Sequence, residues 1–285
     1  MSALDFENVS VTFGHGARRF TAVDEVSIGV AEGEILGLVG ESGSGKSTLA
    51  RAAVGLCEPS GGRILKGGTE VSHARGAAVT ERRRIHLIFQ DPSSCLDPRR
   101  TIGASLDEAL TAAARRDGAE SGSGRSRRAG LGSLLESVKL PASAADLYPA
   151  QLSGGQRQRG AIARAVASRP DVILADEITS ALDVSVQGAV INQLLELQRA
   201  QGFSMIFISH NLAVVRLVCD RVAVLKAGRL VESGPVESVL GAPREDYTRQ
   251  LIAAVPALPT IPAGVAGGHT SGAASSTDSS AEGSR

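Results

Sequence analysis

The first part of the chain alternates apolar and polar residues in short stretches, a pattern that predicts strands. Residues 4–13 predict an edge or half-buried strand, and residues 22–30 predict a second strand after a polar loop. The apolar positions of the first strand are Leu4, Phe6, Val9, Val11 and Phe13. We expect the two strands to pair in an antiparallel sheet.

Continuous apolar runs further along the chain predict buried strands, and helical patterns separate these runs. The runs occupy residues 34–39, 85–89, 171–177 and 203–208. Helices are predicted at residues 47–56 and 184–200. Because strands alternate with helices, the fold class is α/β, and functional side chains are expected at the carboxyl ends of the strands.

A long helical region is predicted at residues 102–168, where two apolar stripes mark separate helices. The stripes are Leu106, Ala109 and Leu110, followed by Leu131, Leu134, Leu135 and Val138. Between the stripes, residues 117–130 are rich in Gly, Ser and Arg and predict a mobile surface loop. A third helix is predicted after Leu152 and ends before Pro170.

The last part of the chain combines a hairpin, a helix and a tail. Residues 221–234 predict a hairpin that turns at Ala227 and Gly228, and residues 245–255 predict the last helix. Pro, Gly, Ala, Ser and Thr dominate the remaining sequence, so residues 257–285 are expected to form a disordered tail.

Composition narrows the class of protein. The chain has 285 residues and a formal net charge of zero, so nothing in it favours nucleic acid as a partner. Its 3 cysteines are scattered, which indicates free thiols in a reducing compartment. The first residues do not form a signal peptide, and no apolar run is long enough to cross a bilayer. We therefore expect a cytoplasmic protein that reaches a membrane only through a partner.

The strongest chemical signal lies between the first apolar run and the helix that follows it. The segment Gly-Glu-Ser-Gly-Ser-Gly-Lys-Ser-Thr fits the phosphate-binding P-loop pattern G-x-x-x-x-G-K-[ST]. Gly43 and Gly45 let the backbone approach a phosphate closely. Lys46 is expected to reach the β- and γ-phosphates, and the Ser47 hydroxyl is expected to bind Mg²⁺. The predicted nucleotide-binding residues are Gly40, Glu41, Ser42, Gly43, Ser44, Gly45, Lys46, Ser47 and Thr48.

Two other interpretations of this motif remain open. By itself the P-loop also fits GTPases and kinases, and a Gly/Ser surface turn without function is the plainest alternative.

An exposed aromatic residue beside the loop could stack on an adenine ring. Phe13 is the first choice for this role and Phe20 the second, while the alternative for Phe13 is a place in the core.

Further motifs follow the predicted strands and helices. They are Gln90, Leu152-Ser-Gly-Gly-Gln156, Asp176-Glu177, Ser180-Ala-Leu-Asp183 and His210. Together with the P-loop, these motifs resemble the ATP-binding subunit of an ABC transporter over about residues 4 to 255. The resemblance implies an ATPase domain at residues 1–256. This domain would have a P-loop NTPase (RecA-like) core, an N-terminal antiparallel β subdomain and an inserted α-helical subdomain at about residues 91–168.

The resemblance also implies roles at a bound ATP. Asp176, at the end of an apolar strand, would hold Mg²⁺, and Glu177 would orient and polarise the attacking water. Gln90 would contact Mg²⁺ or this water, and His210 would contact the γ-phosphate. The predicted catalytic residues are therefore Glu177, His210, Gln90 and Lys46. The predicted metal ligands are Ser47, Gln90 and Asp176.

In this family the Ser-Gly-Gly-Gln motif completes the ATP site of a second subunit, so that two subunits enclose two ATP molecules. Ser153, Gly154, Gly155 and Gln156 would thus bind the partner's nucleotide through a helix N-terminus with free N–H groups. Asp183 would lie at the same interface. The resemblance implies an active ATPase whose dimer is held together by ATP.

Residues 89–99 and 247–256 narrow the resemblance to the importers of peptides or nickel. The implied partners are a second ATPase subunit, for which a paralogue is favoured, and two membrane permeases at the cytoplasmic face of the membrane. An extracytoplasmic solute-binding protein would be an indirect partner, and no nucleic acid is expected. The alternatives are a soluble, non-transport ABC ATPase and a nucleotide-gated assembly subunit with little hydrolysis.

The chain departs from the family pattern in a few places. Ile178 replaces the proline usual after the Asp-Glu pair, and Gly160 lies inside a predicted helix where the family usually has an apolar residue. An interior glycine makes a helix less stable by about 1 kcal/mol than alanine does. The Cys-rich segment that some peptide-importer ATPases carry near the C-terminus is also missing.

Overall fold

The strands form two sheets in the computed structural model, which describes residues 1–118, 124–180 and 184–254. Within these ranges one sheet has four strands and the other six. The strands are β1 (Ser2–Phe13), β2 (Phe20–Ala31), β3 (Ile35–Val39), β4 (Gly61–Lys66), β5 (Thr69–Glu70), β6 (Ile85–Ile88), β7 (Val172–Asp176), β8 (Ser204–Ile208), β9 (Arg221–Lys226) and β10 (Arg229–Pro235).

The α-helices of the described ranges begin after β3 and extend nearly to the end of the last range. They are α1 (Lys46–Ala53), α2 (Ala77–Arg82), α3 (Ile102–Arg116), α4 (Gly124–Ser137), α5 (Gly154–Ala167), α6 (Val184–Gln201), α7 (Leu212–Val218), α8 (Val236–Gly241) and α9 (Asp246–Ala253). None of the helices in the described ranges is long and apolar enough to span a membrane.

The larger sheet has the order β10-β9-β3-β8-β7-β6, and its strands are parallel except at the β9–β10 hairpin. Every residue of β3, β7 and β8 is buried, as expected for parallel strands covered on both faces. Successive residues face opposite cores: Ile173 packs with the helices on one face, whereas Leu174 packs towards α1 and the smaller sheet. Because β3, β8 and β7 are parallel neighbours, their carboxyl ends lie at the same edge of the sheet.

The smaller sheet is antiparallel, with the order β2-β1-β4-β5. The expected antiparallel pairing of the first two strands is present, and Leu4, Phe6, Val9 and Val11 are at most 2% exposed. The alternative of an edge position for β1 is wrong, because β1 lies between β2 and β4. The strand after Pro59 folds back and covers the open side of β1.

The helical region differs from its prediction at the start of α4. Residues 124–130 belong to this helix, so the prediction of a surface loop over residues 117–130 is wrong there, while residues 119–123 lie outside the described chain. Leu135 and Val138 are buried against α3 and α5, and this packing supports the helix. Arginine is a good helix former, so the helix extends backwards through an Arg-rich segment despite its glycines.

The hydrophobic pattern of the sequence did not predict the shortest helices. Helices α2, α7 and α8 have only six or seven residues each, too few for a helical period to stand out. The β9–β10 turn, by contrast, lies at the predicted residues, since Ala227 and Gly228 have φ values of 46° and 83°. The predicted tail lies outside the described residues.

The interior glycine of α5 gives a test of helix packing. An added Cβ at Gly160 would lie 3.6 Å from the Ile102 and Leu96 methyl groups, which is ordinary contact. Gly160→Ala should therefore raise the free energy of unfolding by about 1 kcal/mol. Gly103→Ala, also in a buried helical position, should lower it, because its Cβ would lie 2.8 Å from the Ala145 carbonyl oxygen. Urea denaturation measures both values, and a destabilised Gly160→Ala protein would contradict the expectation.

Candidate functional site

The P-loop connects β3 to α1 through backbone that only glycine adopts easily. Gly40, Gly43 and Gly45 have φ values of 145°, 80° and 101°. A Cβ at Gly40 would lie 2.1 Å from the Leu225 carbonyl oxygen, and one at Gly45 would lie 2.5 Å from that of Ala22. Two of these glycines are thus required by close neighbours as well as by their own conformation.

Lys46 lies inside this loop with 6% of its surface exposed. Its Nζ donates hydrogen bonds to the carbonyl oxygens of Gly40 and Glu41, both at 2.8 Å, and to the Ser44 hydroxyl at 3.2 Å. Burial lowers the pKa of Lys46, and the negative charges of Glu177 and Asp176 oppose that shift. A cation and the N–H groups of a helix start therefore converge at the loop, an arrangement that fits a phosphate group.

A hydroxyl and a carboxylate meet beside the loop. The Ser47 hydroxyl, in the first turn of α1, donates to Asp176 Oδ1 at 3.0 Å. Asp176 ends β7 and is 4% exposed, and this burial raises the pKa of its carboxyl group. In the described ranges no group of three or more His, Cys, Asp and Glu residues could hold a metal. Two oxygen donors next to a phosphate site suit Mg²⁺, which takes few protein ligands and several from phosphates and water.

Glu177 follows Asp176 directly and has a left-handed backbone, with φ of 46°. Its N–H donates to the Ile208 carbonyl oxygen at 3.0 Å, and this bond ties the end of β7 to the end of β8. His210 follows β8, and its Nδ1 lies 3.5 Å from Glu177 Oε1. A strained non-glycine residue held by its neighbours is typical of a functional site.

Gln90 is connected to Glu177 through Ser180, a residue for which no individual role was predicted. The Gln90 Nε2 donates to the Ser180 hydroxyl at 3.2 Å, and this hydroxyl donates to the Glu177 carbonyl oxygen at 3.0 Å. The ends of β6 and β7 are thereby connected at the site. Ser180 belongs to the Ser-Ala-Leu-Asp motif, but it lies 90 positions from Gln90, so local spacing does not indicate this contact.

Two residues after β8 were also missed. Ser209 and Asn211 flank His210 and line a small cavity together with Glu177. The Asn211 side chain accepts hydrogen bonds from the N–H groups of Ala213 and Val214 and so caps α7. An Asn at the start of a helix is a signal that a closer reading of the sequence could have used.

The Ser-Gly-Gly-Gln motif forms the N-terminus of α5, on the helical region of the fold. Ser153 is the N-cap: its hydroxyl accepts from the Gln156 N–H at 3.3 Å, and its N–H donates to Gln156 Oε1 at 2.9 Å. Ser153 and Gly154 are exposed. A Cβ at Gly155 would lie 2.9 Å from a Val186 methyl group, so this glycine lets α5 approach α6. Asp183 lies outside the described residues.

The two candidate aromatic residues form a cross-strand pair at the end of the β1–β2 hairpin. Phe13 is 46% exposed and Phe20 is 62% exposed, so the alternative that Phe13 belongs to the core is wrong. The same strand β2 contacts the P-loop, because the Ala22 carbonyl oxygen lies against Gly45. An aromatic surface thus lies on the strand pair that borders the phosphate site.

The sequence is similar to proteins that are named import ATP-binding proteins, which agrees with a phosphate-binding loop at this site. A putative peptide import ATP-binding protein of Brucella ovis is 46% identical over 235 residues, which cover 82% of this chain and 72% of that protein. A glutathione import ATP-binding protein of Salmonella paratyphi A is 48% identical over 245 residues. This alignment covers 86% of the chain but only 38% of the longer Salmonella protein.

Solved structures show the same architecture. The chain is similar to the dimeric ATP-binding cassette MJ0796 in a post-hydrolysis state bound to ADP and Pi, with a TM-score of 0.71 and 30% identity over 82% of this chain and 98% of that one. It is also similar to cbiO1 from Clostridium perfringens, part of the ABC transporter complex cbiONQ, with a TM-score of 0.73 and 26% identity over 85% and 91% of the two chains. The family model described as ABC transporter matches residues 23–180. The chain belongs to the ABC transporter family.

Proposed function

We propose that this chain is an ATP-hydrolysing subunit that powers the import of a small solute through a membrane permease. The contact that carries the proposal is the 3.0 Å hydrogen bond between Ser47 and Asp176, because it places Glu177 directly beside the P-loop. The Brucella and Salmonella relatives are named for peptide and glutathione import, which supports import over a soluble, non-transport ATPase and favours the peptide side of the proposed peptide or nickel class of cargo.

The phosphates of ATP would bind in the P-loop. Lys46 would meet the β- and γ-phosphates, and the N–H groups of the loop and of α1 would face their oxygens. Ser47 and Asp176 would hold Mg²⁺, with Gln90, two residues after the end of β6, as a further ligand. The metal ion, when bound, would neutralise charge that develops on the phosphate oxygens. Phe13 would support the adenine ring from β1, with Phe20 as the second choice.

Hydrolysis would transfer the γ-phosphoryl group to water. The Glu177 carboxylate would orient the attacking water and accept its proton. His210, 3.5 Å from that carboxylate and 65% exposed in its side chain, is free to turn towards the γ-phosphate. Lys46 would stabilise the charge of the transition state.

A second subunit would complete the site. The exposed N-terminus of α5, with Ser153, Gly154, Gly155 and Gln156, would bind the γ-phosphate of the partner's ATP, and Asp183 would lie at that interface. The dimeric form of the similar ADP-bound cassette supports this arrangement. The subunit would bind two permeases at the cytoplasmic face of the membrane, beside a paralogous ATPase, and would depend indirectly on an extracytoplasmic solute-binding protein.

The first test concerns the predicted general base. Glu177→Gln should lower phosphate release by the assembled transporter at least about 100-fold, because an amide cannot accept the proton from water. ATP binding and ATP-dependent dimerisation should persist. Glu237→Gln is the matched control, since Glu237 forms a surface ion pair with Arg216. Turnover near the wild-type rate in the Glu177→Gln protein would refute the assignment.

A second test separates the two halves of the ATP site. In the isolated, monomeric chain, Lys46→Ala should weaken ATP binding roughly tenfold or more, because a charge-assisted contact to phosphate is lost. Ser153→Arg should leave this affinity unchanged, because Ser153 serves the neighbouring subunit. Equilibrium dialysis measures both affinities, and circular dichroism checks folding. An equal loss in the two variants would show that Ser153 binds the ATP of its own chain.

The raised pKa of Asp176 gives a third test, on stability. Above its raised pKa the ionised carboxylate is less favourable in the folded chain than in the unfolded chain. Asp176→Asn should therefore make the nucleotide-free protein more stable near neutral pH, although it removes a proposed metal ligand and should abolish hydrolysis. The gain should shrink as the pH falls through the raised pKa of Asp176 towards the ordinary carboxyl pKa, and it should be absent below that value, where both states are protonated. Urea titrations across pH measure the effect, with the exposed Asp146→Asn as the control.

A further inference from the structure

The C-terminal elements lie directly behind the P-loop. The Gly228 N–H, in the β9–β10 turn, donates to the Ser44 carbonyl oxygen at 3.1 Å. The Leu225 carbonyl oxygen occupies the place where a side chain on Gly40 would project. The loop is therefore supported from behind by a hairpin that follows it by about 180 residues in sequence.

Helix α9 adds a contact through the hydroxyl of Tyr247. This hydroxyl accepts a hydrogen bond from the Glu41 N–H at 3.2 Å. The Tyr247 side chain is buried, at 6% exposure, and its ring centroid lies 4.4 Å from Lys226 Nζ. Ring and hydroxyl thus have separate partners: the ring packs under a cation of β9, and the hydroxyl reaches the P-loop.

The helix that carries Tyr247 is itself fixed to the core. The Glu232 carboxylate, on β10, accepts hydrogen bonds from the N–H groups of Arg244 and Glu245 at 2.9 and 3.3 Å. These residues immediately precede α9, so the start of the helix is attached to the hairpin that supports the loop. The position of the Tyr247 hydroxyl is therefore determined by these two hydrogen bonds and by the buried ring of Tyr247 itself.

Glu41 is held from both ends of its backbone. Its N–H donates to Tyr247, while its carbonyl oxygen accepts from Lys46 Nζ at 2.8 Å and from the Ser44 N–H at 3.2 Å. The Glu41 carbonyl also helps to hold the Lys46 ammonium. Any rotation of the Glu41 backbone would move an acceptor of the residue that meets the phosphates.

We propose that Tyr247 is a positioning residue for nucleotide binding, a role that rests on the ATPase function proposed above. Its hydroxyl fixes the first turn of the P-loop, so that Lys46 and the loop N–H groups point to the phosphates before ATP arrives. This assigns a role to the first residue of the segment 247–256, which served above only to narrow the family resemblance. Removing the hydroxyl leaves the ring packing intact and frees the loop.

The test is Tyr247→Phe in the full chain, with Tyr148→Phe as the matched control. The chain contains two tyrosines, and Tyr148 is 46% exposed on the helical region. Without nucleotide, the Glu41 amide should exchange its hydrogen faster in Tyr247→Phe than in the wild type or the control. The dissociation constants of ATP and ADP should rise about fivefold, the effect of one net hydrogen bond. At saturating ATP kcat should stay unchanged, since bound phosphate restores the loop.

The amide exchange, the nucleotide affinity and kcat each test a different part of the proposal. Unchanged exchange at Glu41 would show that the hydroxyl does not hold the loop. Faster exchange with unchanged nucleotide affinity would overturn the positioning role, as would a fall in kcat without a change in affinity. If the wild type itself neither binds nor hydrolyses ATP, the proposed function fails, whereas the exchange result still reports on the contact.

A measurement on the otherwise unmodified chain covers the case in which Tyr247→Phe folds poorly. Incorporation of 3-fluorotyrosine gives two ¹⁹F signals, one for each tyrosine, and Tyr148→Phe assigns them. Titration with ADP and Mg²⁺ should shift the Tyr247 signal and leave the Tyr148 signal in place. A Tyr247 signal that stays constant while dialysis shows bound nucleotide would overturn the proposal.

Discussion

The site depends on a buried cation balanced by two carboxylates. Lys46 is taken out of water under the P-loop, and burial lowers its pKa, while burial raises the pKa of Asp176 nearby. The attraction between the opposite charges reduces the cost of burying each group without cancelling it, since burial is the largest cause of both pKa shifts. Any fold that carries this site must bring these groups together, and here the loop after β3 and the end of β7 do so.

The parallel strands meet this requirement by geometry. Their carboxyl ends meet at one edge, so residues far apart in sequence, such as Lys46 and Asp176, become neighbours without a long connecting loop. The left-handed backbone of Glu177 shows that its placement has a cost in local conformation. The Ser180 hydroxyl and the Ile208 carbonyl oxygen hold the residue there through hydrogen bonds of 3.0 Å each.

Much of this arrangement could be predicted from local sequence. The P-loop and the apolar runs carry their signals within a few residues, and Asp176 ends a buried strand that Glu177 follows directly. Contacts between distant segments could not be predicted in this way: the Gln90–Ser180 and Glu41–Tyr247 bonds join residues 90 and 206 positions apart. The start of α4 was misjudged because its composition favours a loop, whereas packing of its later turns decides for a helix.

The β9–β10 turn packs closely against β2, and this packing limits where the chain can accept inserted residues. A Cβ on Gly228 would already lie 2.8 Å from the Ala22 carbonyl oxygen, so this turn has no space for an inserted residue. The β4–β5 turn at Gly67 and Gly68 faces open space instead. Insertions, fusion points and affinity tags are therefore tolerated on the outer rim of the small sheet, while the hairpin behind the nucleotide must keep its length.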